Sequence, residues 1–131
     1  MKIYVASGWS NRKAAYSLME ELMNLGCWVT HNWTKIPEEQ SMSEIGCRAI
    51  AEVDLRSVQV ADVVIVLLPG GNGTHTELGY ALACGKPVVI YDSDHFPSPE
   101  RVMYYHPKIK RVTSKKELME MVQAWYVKLP R

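Results

Sequence analysis

Val63-Val64-Ile65-Val66-Leu67-Leu68, running into Pro69-Gly70-Gly71-Asn72-Gly73-Thr74-His75-Thr76-Glu77-Leu78-Gly79, decides how this chain folds. An unbroken apolar run reads as a buried strand, the glycines as a tight turn, and Leu78 to Cys84 as an amphipathic helix. Open α/β sheets bind ligands at the carboxyl ends of their strands, where such turns sit. Backbone N–H groups at a helix start attract anions. Glu77, read as lying on the first helical turn, would point into the same crevice.

Outward from this unit the pattern repeats. Lys2–Ala6 reads as a strand, and Ser7-Gly8-Trp9-Ser10 as a turn. Ser10 or Asn11 is positioned to cap a helix carrying Ala15, Leu18, Leu22 and Leu25, which Gly26 ends. Cys27–His31 reads as a second strand. Ser43 to about Gln59 reads as a helix whose apolar stripe is Ile45, Ala49, Ile50 and Val53. Gly85 stops the helix after the glycine turn, and Pro87–Tyr91 is a fourth strand. Lys108–Val112 is a fifth, and Ser114 with Glu117 forms a capping box before a last helix. Strands alternating with helices predict a flavodoxin-like α/β fold: a parallel sheet of about five strands with helices on both faces. No linker interrupts the chain, so residues 1–131 are expected to form one domain.

Composition narrows the classes. The formal net charge is +1, without a basic run, which leaves nucleic-acid polymers and membrane surfaces unsupported as partners. No stretch approaches membrane-spanning length, and no leader-like segment precedes the first strand. The three cysteines, Cys27, Cys47 and Cys84, are far apart and odd in number. They read as free thiols in a reducing, cytoplasmic setting. Cys84 reads as core, and Met19, Met23, Met119 and Met121 as packing. His31, His75, His95 and His106 lack metal-ligand spacing. His75 and Glu77 form an H-x-E without the P-C-x-x-C of a zinc deaminase. No P-loop is present. Neither a metal nor another cofactor is implied.

Each candidate has a plain alternative. Glu77 completes a Thr74-x-x-Glu77 capping pattern, so it reads as a cap, a nucleophile, or both. The helix dipole is expected to keep it ionised at neutral pH. Asp54 reads as solvated, as paired with Arg48 or Arg56, or as a second carboxylate. Glycosidic cleavage through an oxocarbenium-like transition state commonly needs such a pair. Asp62 sits at the amino end of its strand and reads as structural. Ser7, Gly8, Ser10, Asn11 and Arg12 suit a phosphate, or simply form a capped turn. Trp9 stacks on a base or covers the core edge.

From Asp54 through Ala61-Asp62-Val63 to Tyr91, and in the opening Lys2-Ile3-Tyr4-Val5-Ala6-Ser7-Gly8-Trp9-Ser10-Asn11-Arg12, the chain resembles nucleoside 2-deoxyribosyltransferases and the related deoxynucleoside 5′-monophosphate N-glycosidases. The resemblance implies that Glu77, in Glu77-Leu78-Gly79, is the nucleophile toward the sugar C1′ and that Asp54 assists. It implies a homodimer or larger homo-oligomer with composite sites, a neighbouring copy contributing Arg101 and Met103. Tyr104, Tyr105 and His106 read as an exposed cluster beside them. Transferases acting on free nucleosides carry an acid six positions before the nucleophile. Here Gly71 stands there, which favours a 5′-phosphorylated substrate held by Gly70, Gly71, Asn72 and Gly73. Pro69-Gly70-Gly71-x-Gly73-Thr74-x-x-Glu77 also looks like the signature of cytokinin-activating phosphoribohydrolases, which cleave the same bond. The expected activity is hydrolysis of a (deoxy)nucleoside 5′-monophosphate to base and sugar 5-phosphate. The alternatives are base exchange between deoxynucleosides and a non-catalytic nucleotide-binding or signalling module.

Overall fold

The computed structural model describes residues 1–94 and 96–128; His95 lies outside the described residues. Five parallel strands form one sheet: β1 (Lys2–Ser7), β2 (Trp28–Val29), β3 (Val63–Leu67), β4 (Val88–Tyr91) and β5 (Ile109–Val112), in the order β2-β1-β3-β4-β5. This is the flavodoxin-like order, with its switch point between β1 and β3. β1 and β3 pair from Ile3↔Val63 to Ser7↔Leu67. Every residue of β3 is buried, as a central parallel strand covered on both faces must be.

The helices are α1 (Arg12–Asn24), α2 (Glu44–Val60), α3 (Asn72–Ala83) and α4 (Lys115–Lys128). The β1-to-β2 and β2-to-β3 crossovers run in opposite directions along the sheet, so right-handed connections put α1 and α2 on opposite faces. α1 is tied to α4 by Lys115 Nζ on Glu21 Oε1 at 2.5 Å, while α2 packs on α3. Ser114 Oγ accepts the Glu117 N–H at 3.1 Å, as its capping role predicts. Gly85, at φ 71°, supplies the left-handed residue that ends α3. Gly46 serves a close approach. A Cβ there would fall 1.7 Å from the Gln40 carbonyl oxygen, so only glycine lets the 3-10 segment Glu38–Met42 lie against the start of α2.

Several local expectations fail for tertiary reasons. The second strand shrinks to Trp28–Val29, because Trp33 turns inward and its indole N–H donates to the Val5 carbonyl at 2.7 Å. Ser10 and Asn11 do not cap α1; the Asn11 amide donates to Ser7 Oγ at 3.0 Å instead. Ile45 and Val53 of the α2 stripe face outward, 81% and 42% exposed, and Ile50 turns to a cavity, because α2 buries Gly46, Ser57 and Val58 against its neighbours. Cys84 is exposed at the end of α3, and Met23 is exposed on α1, whereas Met19 is core. Tyr104 is buried rather than exposed. Asp62 does hold the amino end of the sheet, accepting the Lys2 N–H at 2.7 Å.

Candidate active site

The glycine turn and helix α3 set the site. α3 begins at Asn72, two residues before Thr74, so Glu77 lies beyond the first turn and is not a cap. Thr74 fills that role: its Oγ1 accepts the Gly71 N–H at 3.0 Å. The sequence reading of a Thr74–Glu77 capping box is therefore corrected. Glu77 instead turns into the protein, 7% exposed, where Oε2 accepts the Tyr4 hydroxyl at 2.7 Å. Tyr4 comes from the middle of β1, 73 residues away.

Burial governs the charge of this group. It pushes Glu77 up to about 7; the Tyr4 hydrogen bond opposes the rise and the nearby Asp54 adds to it. The expectation that the helix dipole keeps Glu77 firmly ionised fails, because desolvation outweighs a field felt mainly in the first turn. Burial also raises Asp54, on α2, to about 6. Tyr4 is held well above its usual range by burial and by the two carboxylates.

Asp54 pairs with neither Arg48 nor Arg56. Arg48 binds Glu44 at 3.0 Å. Asp54 Oδ1 faces His31 Nε2 at 3.7 Å, and neither atom meets a hydrogen-bond partner among the described residues. Burial lowers the pKa of His31, favouring the neutral imidazole beside Asp54. Two carboxyl groups with raised pKa values, one under a phenol and one beside a histidine, thus share one cavity. Nothing in local periodicity marks Tyr4 or His31 as site residues. The signal available was that each is a polar group on or beside an apolar strand.

The cavity has a volume of about 410 Å³ and opens at the carboxyl ends of β1 and β3. Ser7, Gly8 and Trp9 line one side, and Gly71, Asn72, Gly73 and Thr74 another, with Asp54 and Glu77 in the wall between. Trp33, Ile36 and Ile50 make an apolar end, and Trp9 stands 6.5 Å from Trp33, their rings tilted at 43°. A flat heteroaromatic ring could stack on these indole faces.

Other expected site residues are directed elsewhere. Ser10, Asn11, Arg12 and Gly70 do not line the cavity. The Ser7 hydroxyl donates to the Leu67 carbonyl at 2.6 Å, and the Gly8 N–H to the Pro69 carbonyl at 3.0 Å. Both therefore brace β1 against the turn after β3. Arg12 lies 4.6 Å over the Trp9 ring and donates to the Trp9 carbonyl at 3.1 Å. Arg101, in the 3-10 segment Pro99–Tyr105, forms an ion pair with the buried Asp92 of its own chain. Met103 is 55% exposed. His75 Nδ1 contacts the Gly71 carbonyl at 2.7 Å and Nε2 the Tyr104 hydroxyl at 2.6 Å, fastening the glycine turn to that segment.

The family model for nucleoside 2-deoxyribosyltransferase matches residues 3–120. The chain belongs to the nucleoside 2-deoxyribosyltransferase family. Members of this family are N-glycosidases or deoxyribosyltransferases, so the protein is an enzyme acting on the nucleoside N-glycosidic bond. The solved structure of the Clostridium botulinum CMP N-glycosidase BcmB superposes with a TM-score of 0.66 at 17% identity, over 94% of this chain and 99% of that one. That likeness establishes a shared flavodoxin-like fold. No curated protein sequence matches significantly. Among the described residues no helix is long and apolar enough to cross a membrane.

Proposed function

We propose that the protein hydrolyses the N-glycosidic bond of a (deoxy)nucleoside 5′-monophosphate. The observation that carries this reading is the pair Asp54 and Glu77, both raised by burial and both lining one cavity beside the glycine turn. In its anionic form Glu77, oriented by the Tyr4 hydroxyl, attacks C1′. As the C1′–Glu77 bond forms, the C1′–N bond breaks and its electron pair passes to the base. Asp54, in its protonated form, supplies that proton to the leaving base. Asp54 then takes a proton from water, which attacks C1′ and frees Glu77 and the sugar 5-phosphate. The base stacks against Trp9 and Trp33.

The phosphate falls to the start of α3, where the first amides of a helix lack intrahelical partners. Gly71 N–H is engaged by Thr74, which leaves Asn72, Gly73 and Thr74 as the donors. Arg12 is held on Trp9 outside the lining and Arg101 by Asp92 of its own chain, which leaves exposed Met103 as the residue a neighbouring copy would offer. Gly71, standing where an acid would repel phosphate, favours the monophosphate over the free nucleoside. Ile45 and Val53 of α2 and the exposed Val102 and Met103 give a second copy an apolar surface to cover.

The test is product analysis on a panel of nucleosides and 5′-monophosphates, with and without a free acceptor base. Base plus sugar 5-phosphate is the expected result. A new nucleoside in the presence of acceptor would make the enzyme a transferase. Equal kcat/KM for nucleoside and monophosphate would remove the phosphate from the reading.

A further inference from the structure

We infer that Glu38 makes the site selective for bases carrying an exocyclic amino group, cytosine or adenine, over their oxo counterparts. This rests on the N-glycosidase reading above and names the base class for the same cavity. Two residues beyond Ile36, the 3-10 segment Glu38–Met42 adds two polar side chains to the lining, Glu38 and Ser41. Both present acceptors. The Ser41 hydroxyl donates its hydrogen to the Glu38 backbone carbonyl at 2.7 Å, leaving lone pairs on Oγ. A glutamate carboxylate is an acceptor only. The Trp33 indole N–H, the donor nearest in kind to a base partner, is committed to the Val5 carbonyl at 2.7 Å. Other side-chain donors of the lining, the Trp9 indole and the Asn72 amide, come from the turn after β1 and the start of α3 rather than from this segment.

The Glu38 carboxylate is also uncompensated. Among the described residues it carries no ion pair or hydrogen bond. The neighbouring cations are held elsewhere: Lys35 Nζ sits 4.2 Å over the Tyr16 ring and Arg12 4.6 Å over Trp9. A free acceptor charge on the lining of a cavity with aromatic walls rewards an amino edge, which donates to it. It penalises an oxo edge, which brings lone pairs against it. The placement is fixed by Gly46, which lets the segment lie against the start of α2, the helix that also contributes Ile50 to the lining.

The experiment compares 5′-monophosphates differing only in that group: cytosine against uracil, and adenine against hypoxanthine. In the wild type kcat/KM is expected to favour the amino member by about tenfold or more, the scale of one charge-assisted hydrogen bond. Glu38→Gln, at an exposed position where folding is not at stake, presents both a donor and an acceptor. It is expected to bring the ratio to within about threefold while hydrolysis of the amino substrate continues. Equal or reversed preference in the wild type, or a ratio unchanged in Glu38→Gln, overturns the inference. If the wild type hydrolyses no nucleotide, the glycosidase reading fails by itself. The same pairs are then titrated by tryptophan fluorescence from Trp9 and Trp33. Tighter binding of the amino member, lost in Glu38→Gln, upholds the inference, and equal binding overturns it.

Discussion

Glu77 and Asp92 are both buried carboxylates toward the carboxyl edge of the sheet, 7% and 6% exposed, and their surroundings are opposite. Asp92, just after β4, faces the Arg101 guanidinium, which is flanked by Phe96 and Tyr104 at 5.3 Å each. Glu77 meets a neutral phenol and a second carboxyl group, and its pKa rises accordingly. A buried charge with a cation beside it is a fastening, and breaking it strands the partner. A buried carboxyl without one sits near its protonation midpoint at neutral pH, which costs stability and suits a catalyst.

Substitution at each position separates the roles. Glu77→Ala is expected to lower kcat by about a thousandfold or more while the fold persists, since the nucleophile is gone. Asp92→Ala is expected to do the reverse, losing about 3–5 kcal/mol of stability by stranding Arg101 while the folded fraction turns over normally. Steady-state kinetics beside thermal melts reads both. The contrast breaks if Asp92→Ala abolishes kcat with its melting temperature unchanged.

Asp54→Asn tests whether the second carboxyl shares the chemistry. A loss of about 10²–10⁴ in kcat with KM little changed is expected of a general acid. An unaltered kcat would return Asp54 to a structural role beside His31.

The two titrations should appear in the pH profile. Activity requires Glu77 ionised, near 7, and Asp54 protonated, near 6. A narrow bell with its maximum between those values is therefore expected for kcat/KM, its limbs belonging to the coupled pair. A plateau extending above pH 8 would exclude Asp54 as the acid.

The smallest expected effect concerns stability. The folded-state value of Glu77, about 7, lies above its ordinary 4.5. The folded state thus holds the proton more tightly than the unfolded chain. Its stability contribution is complete below the ordinary value and is lost as pH rises through 7. Glu77→Gln removes that loss and should melt higher than wild type at pH 8, by roughly 2 kcal/mol in stability, with little difference at pH 4. A lower melting temperature for Glu77→Gln at pH 8 would mean that the anionic Glu77–Tyr4 bond outweighs desolvation.

The two regions also differ in how far the sequence disclosed them. The strand, glycine turn and helix from Val63 to Cys84 were legible because they rest on local rules: apolar runs, glycine turns and helical spacing. Family resemblance marked Asp54 and Glu77. The helix start was read too late, because Thr74 resembles a cap and is instead the third residue of the first turn, its Oγ1 accepting the Gly71 N–H. The turn after β1 was legible as a turn but not in its polar contacts. Ser7, Asn11 and Arg12 read as phosphate ligands, and each hydrogen-bonds within the protein.

Sequence by itself determined the element order and the parallel sheet, since periodicity and turn chemistry act between near neighbours, while resemblance to a known family singled out the two carboxylates. Tertiary structure alone decided what those carboxylates are. The phenol under Glu77 arrives from β1 and the imidazole beside Asp54 from the segment after β2. Protonation is set by the desolvation and charges that distant segments impose, and by which hydrogen-bonding groups the fold has already paired. No spacing rule along the chain carries that information. The same holds for the outward face of α2. Its apolar spacing was visible in the sequence, but only packing shows that a single copy leaves Ile45 and Val53 uncovered.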